Sequence, residues 1–83
     1  MGNISANSVG GYIKVNGNVG EYIRVKGNVS EYIDIDGNVN KYIEVNGYVS
    51  GNINIGNSVG RFNAKNVKYG IKVNGDVGGS DTT

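Results

Sequence analysis

The sequence predicts an all-β protein: a single-domain β-solenoid (β-helix) built from ten-residue repeats. Three observations predict it. The stretch VGEYIRVKGNVSEYIDIDGN, Val19 to Asn38, repeats itself after ten residues, with Val, Tyr-Ile, Val or Ile and Gly-Asn in fixed places while the charges between them change. Within each unit the pattern I-x-V-x-G-x-V alternates with a period of two and is dominated by β-branched residues, which is strand chemistry. Glycine at the ninth place of the regular units would weaken a helix by about 1 kcal/mol each time.

The units follow one another from the first valine onward. They are VGGYIKVNGN (9–18), VGEYIRVKGN (19–28), VSEYIDIDGN (29–38), VNKYIEVNGY (39–48) and VSGNINIGNS (49–58). Each supplies one short strand centred on I-x-V or I-x-I. The next segment, VGRFNAKN (59–66), has only eight residues, after which VKYGIKVNGD (67–76) restores the frame. One slip is therefore expected near 59–66. The two ends resemble each other, since GNISANSVG and the following YIKVNGNVG are echoed by GNINIGNSVG and YGIKVNGDVG. A β-repeat domain over 1–78 is expected, followed by GSDTT (79–83) as a disordered polar tail.

Two ways of joining such strands are open. Asn-Gly and Asp-Gly at 16–17, 36–37 and 46–47 are hairpin signals, which would give an antiparallel meander, a single-layer sheet or a small barrel. That register would align Tyr12, Tyr22, Tyr32 and Tyr42 in one ladder, but would set Glu21, Glu31 and Lys41 directly opposite Ile13, Ile23 and Ile33. Unpaired charges on a buried face cost several kcal/mol each. In a solenoid the same residues sit at corners and point outward. Coils of ten residues would stack Lys14 on Arg24, Asp34 on Glu44 and Glu21 on Glu31, three like-charge contacts against two favourable ones, Arg24 on Asp34 and Glu31 on Lys41. Coils of twenty stack Lys14 on Asp34, Arg24 on Glu44 and Glu21 on Lys41, all opposite, with Lys41 on Arg61 the one like pair. Thirty also scores well on fewer pairs. Two decads per coil are favoured, giving roughly four rungs about 4.8 Å apart, with sixteen Val and Ile residues from Val9 to Val59 facing inward.

Composition removes several functions. In 83 residues there is no Cys, His or Trp, so disulfides, thiolate metal sites and histidine catalysis are absent. Eight basic against seven acidic side chains, a net charge of +1, disfavour a general electrostatic grip on nucleic acid or membrane. No apolar run approaches a membrane span. The opening MGNISANSVG has neither a charged n-region nor an apolar h-region, so a cytoplasmic or virion-associated location is expected over secretion. No catalytic residues, metal or cofactor are predicted. The Asp spacing of DIDG (34–37) is matched by no second motif and reads as solvated surface.

The alternation IRVKGNVSEYIDIDGNVNKYIEVNGYVSGNINIGNSV resembles the bactofilins and related polymer-forming β-helices, whose rungs run I-x-V-x-G-x-V-x-x-x-I. The tyrosine at each fourth place is not part of that pattern. The resemblance implies a triangular right-handed solenoid that forms nucleotide-free filaments through its ends. The V-x-G unit is also similar to the β-helices of phage and contractile-injection spikes, although those repeat at eight residues.

Candidate functional residues follow from the repeat. With two decads per coil the tyrosines split into two files, Tyr12 above Tyr32 and Tyr22 above Tyr42, which either stack to stabilise the rungs or present rings to a ligand. Arg61, Lys65, Lys68 and Lys72 form a basic end, while Glu31, Asp34, Asp36 and Glu44 make the middle acidic. Gly17, Gly27, Gly37, Gly47 and Gly75 are expected at turns, and asparagines such as Asn18 and Asn38 in amide ladders or left-handed corners. Solenoid ends expose strand edges that invite pairing. The expected function is therefore non-enzymatic: a self-associating filament, spike or scaffold subunit whose partner is a second copy. The alternative is a small binding module that presents the Tyr files and the basic end to a protein or glycan.

Overall fold

The structure, a computed structural model, describes residues 2–78; Met1, the predicted tail 79–83 and the side chain of Lys65 lie outside what it describes. Eight strands follow in order: β1 (Ile4–Ala6), β2 (Ile13–Val15), β3 (Tyr22–Val25), β4 (Ile33–Ile35), β5 (Tyr42–Val49), β6 (Ile53–Ile55), β7 (Phe62–Val67) and β8 (Ile71–Val73). Odd strands form one sheet in the order β1-β3-β5-β7, and even strands a second in the order β2-β4-β6-β8. Every pairing between these strands is parallel. The chain is thus a β-solenoid in which each coil visits both sheets once. Between the sheets, at the corners, run rows of single parallel bridges, Val9 to Val29 to Val49 and Val19 to Val39 to Val59 to Val77.

Register fixes the coil at two decads. Ile13 pairs with Ile33 and Ile33 with Ile53, while Ile23 pairs with Ile43. The meander and the thirty-residue coil are both ruled out by this ladder. The Asn-Gly and Asp-Gly steps make no hairpins: Asn16-Gly17 and Asp36-Gly37 turn corners, with the Gly37 N–H donating to the Gly17 carbonyl at 3.0 Å, and Asn46-Gly47 runs within β5, with the Gly47 N–H donating to the Gly27 carbonyl at 3.0 Å. Every one of these bonds runs between coils, so the corners continue the ladder.

The period of two divides each strand cleanly. Ile23, Val25, Val29, Ile33, Ile35, Ile43, Ile53 and Ile55 are fully buried along the axis, together with Val19, Val39, Val45, Val49 and Val59. Glu21, Glu31 and Lys41 are exposed at corners, which is why the solenoid avoids the buried charges that a meander would create. No charged or polar residue is buried among the described residues.

The fourth coil is two residues short, and the deficit is taken in two places. Val59 stays in register with Val39, but Phe62 already pairs with Ile43, so one residue is lost at the tyrosine place of the repeat. A second is lost between Ala64, which pairs with Val45, and Asn66, which pairs with Tyr48. Phe62 and Ala64 stand where the second and third coils carry Ile and Val, and both are buried.

Candidate functional site

Three kinds of surface feature stack along the coils, and each arises because residues twenty apart in sequence lie one rung apart in space. The tyrosines come first. Tyr12 and Tyr32 stack with centroids 5.0 Å apart and planes 4° from parallel, and Tyr22 and Tyr42 at 4.9 Å and 5°. These spacings are those of the strands that carry them. Each file holds two rings: Asn52 and Gly70 continue the Tyr12 file, and in the Tyr22 file the next ring is the residue missing from coil four. Tyr12 remains 54% exposed.

Asparagine ladders line the corners, the expectation borne out in its first form. The Asn38 N–H donates to Asn18 Oδ1 at 2.8 Å, and Ser58 N–H to Asn38 Oδ1 at 3.0 Å. Ser58 Oγ then accepts from the Asp76 N–H at 3.1 Å. On the opposite corner Tyr48 N–H donates to Asn28 Oδ1 at 2.8 Å. Tyr48 itself stands where the repeat has Asn and offers no amide oxygen to the coil above. None of the described non-glycine residues has a positive φ, so the left-handed corners are corrected; Gly70 alone does, at 95°. Gly70 occupies the tyrosine place because Tyr69 and Gly70 reverse the Gly11-Tyr12 order, and it is there that glycine's freedom is needed.

Charges alternate up the coils as the twenty-residue register requires. Arg24 Nε lies 3.1 Å from Glu44 Oε2, and Lys41 Nζ lies 3.9 Å from Glu21 Oε1. Lys14 and Asp34 are register partners, and Asp34 Oδ1 also accepts from Asn54 Nδ2 at 3.2 Å. Of the residues expected to make the basic end, Arg61 and Lys68 occupy corners half a coil apart, Lys72 sits mid-strand in β8, and the side chain of Lys65, in β7, lies outside what is described. Lys68 Nζ lies 5.4 Å from the centre of the Tyr69 ring, a cation–π distance.

Two open grooves mark the two places where coil four lacks a residue. One, of about 420 Å³, is lined by Tyr48, Val49, Ser50, Asn66, Val67 and Lys68; the other, of about 260 Å³, by Tyr42, Ile43, Glu44, Arg61 and Asn63. Sequence reasoning singled out Tyr42 but missed Tyr48, which is 63% exposed, and Tyr69, at 71%. Their signal was present as departures from the repeat: Tyr for Asn at 48, and Tyr-Gly for Gly-Tyr at 69–70.

As for chemistry, no group of three or more acidic or other metal-ligating side chains converges among the described residues. Nor is any helix there long and apolar enough to cross a membrane. Ladders, stacks and ion pairs define the chain as a parallel β-solenoid of about four coils whose regularity is carried by its surface as well as its core. Set against known protein families, curated proteins and solved structures, it shows no match.

Proposed function

We propose that the protein is a structural building block, a filament, spike or scaffold subunit, that joins copies of itself through the ends of its solenoid. One observation carries this: burial falls off at the outer coils only. Ile23, Ile33, Ile43 and Ile53 are fully buried, whereas Ile4, Val9, Ile71 and Val73, which pack against the same core, are partly exposed, and Val77 is 40% exposed. Strands β1, β2, β7 and β8 each have a neighbour on one side only among the described residues, leaving rows of backbone donors and acceptors able to template another chain. The likeness to polymer-forming β-helices points the same way. Sedimentation velocity across a hundredfold range of concentration, with negative-stain electron microscopy, tests it. Growth into linear particles is the predicted result; a strict monomer at the highest concentration would contradict it.

The grooves at Tyr42 and Tyr48 favour a second reading, a module that binds a protein or glycan through exposed rings. Aromatic floors with a cation alongside suit sugar rings and apolar side chains. Replacing Tyr48 by Ser separates the two readings, since it takes an exposed ring from the larger groove while leaving the open backbone edges of β1, β2, β7 and β8 in place. Lost partner binding with unchanged self-association favours the module.

A further inference from the structure

The described coils end where they begin. The carbonyl of Gly2 accepts from the Glu21 N–H, and that of Glu21 from the Lys41 N–H, so Gly2 lies beneath Glu21 and Lys41. At the other end the Gly78 N–H donates to the Val59 carbonyl, Gly60 to Val39 and Asn40 to Val19, so Gly78 lies above Gly60 and Asn40, in the column of Gly20. Glycine 20 and Glu21 are neighbours in the chain. Gly78 and Gly2 therefore occupy adjoining places of the same corner, and the segment between them completes four coils.

A solenoid end is a ramp with a step one rung high, and two ends fit flush only where their steps meet. For the described residues, 2–78, the steps would meet without rotation. We propose that copies stack head to tail in the register of the coils themselves, β8 of one beneath β2 of the next and β7 beneath β1, with Lys72 of one copy meeting Lys14 of its neighbour as the contact that limits the strength of the joint. This rests on the self-association proposed above and adds its geometry and control.

The ladders supply the bonds such a joint would make. Val39 N–H donates to the Ser58 carbonyl and Val59 N–H to the Asp76 carbonyl, so Val77 N–H would reach the carbonyl of the neighbour's Asn18. Ile33 N–H donates to Asn52 and Ile53 N–H to Gly70, so Ile71 N–H would reach the neighbour's Tyr12 carbonyl. Ile71 and Val73 would cover Ile13 and Val15, the least buried members of the core, and Phe62 would cover Ile4.

Charge is the exception. Within the molecule, mid-strand register partners combine opposite or neutral groups: Arg24 with Glu44, Lys14 with Asp34, Asn54 with Lys72. The joint alone would pair Lys with Lys, because both outer strands of this sheet carry the identical run IKVNG, at 13–17 and 71–75. A lysine in an exposed strand edge is a common guard against uncontrolled pairing. Like charges directly opposite weaken a pairing, and salt relieves them. Assembly should thus strengthen as salt rises.

The sequence holds no cysteine, which makes disulfide trapping unambiguous. Adjacent parallel strands bring Cα atoms to about 4.8 Å, within disulfide reach. A chain carrying Lys14→Cys and Lys72→Cys should give a ladder of covalent multimers on mild oxidation, whereas one carrying Ser5→Cys and Lys72→Cys, on opposite sheets, should not. A ladder from the second chain, or from neither while particles still form, would overturn the register and leave self-association standing. A wild-type protein that stays monomeric in sedimentation would overturn both. Independently, Lys72→Glu should tighten association about three- to tenfold at low salt and reverse the salt dependence. The double change Lys14→Glu with Lys72→Glu should return it to the wild-type level, and an unaltered Lys72→Glu protein would remove the lysine pair from the account.

Discussion

A methyl group added at Gly47 would lie 2.5 Å from the Gly27 carbonyl oxygen, whereas one added at Gly17 meets nothing within 4 Å. The two glycines occupy the same place in the repeat, so the difference comes from the coil that passes beneath one and not the other. Gly47→Ala should cost about 1–3 kcal/mol through forced separation of two coils. Gly17→Ala should be neutral or stabilise by up to about 1 kcal/mol through a less flexible unfolded chain. Urea unfolding midpoints of the two variants give both numbers. The corner asparagines obey a similar logic. Asn38→Ala removes the acceptor of the Ser58 N–H in a part-buried position, and a loss of about 1–2 kcal/mol is expected in the same experiment. An unchanged midpoint would show that water replaces the amide.

Among the elements, the tyrosine files and ion pairs run along the outside of the strands that the core holds together. Replacing Tyr22 and Tyr42 by Ser should lower stability by about 0.5–1.5 kcal/mol, read from thermal unfolding, because the rings stack on each other. Partner binding lost with an unchanged melting temperature would instead make the file a ligand surface. Glu44→Gln, at a half-exposed ion pair, should cost less than about 1 kcal/mol. Much of this was legible in the residues. The alternation of Lys14, Arg24, Asp34 and Glu44 pointed to a coil of twenty, and the ladders of β2-β4 and β3-β5 have that register. The division of the slip was not legible. Eight residues in place of ten state a deficit without its location, and here the core decides: Val59, Phe62 and Ala64 must all face inward, which forces one loss before Phe62 and the other after Ala64. Both of the grooves described above lie where those residues are lost, and Tyr48 lines the larger of them.

At the scale of the whole molecule, a single apolar column runs through a body with extents of 25 × 24 × 16 Å. Such a column depends on continuity. A charge placed at Ile33, fully buried in the second coil, has no partner and no route to water, so Ile33→Asp should abolish cooperative unfolding altogether. The same change at the outer, partly buried Ile71 should be tolerated in the monomer while suppressing association. The central claim is that a regular coil takes twenty residues, two dissimilar decads facing across one core. Scalar couplings transmitted through backbone hydrogen bonds, measured by NMR on isotope-labelled protein, test it most directly. The predicted correlations join the Ile33 amide nitrogen to the Asn52 carbonyl carbon, Val39 to Ser58 and Lys41 to Glu21. Correlations between residues ten apart, or reciprocal pairs across Lys26-Gly27, would contradict it.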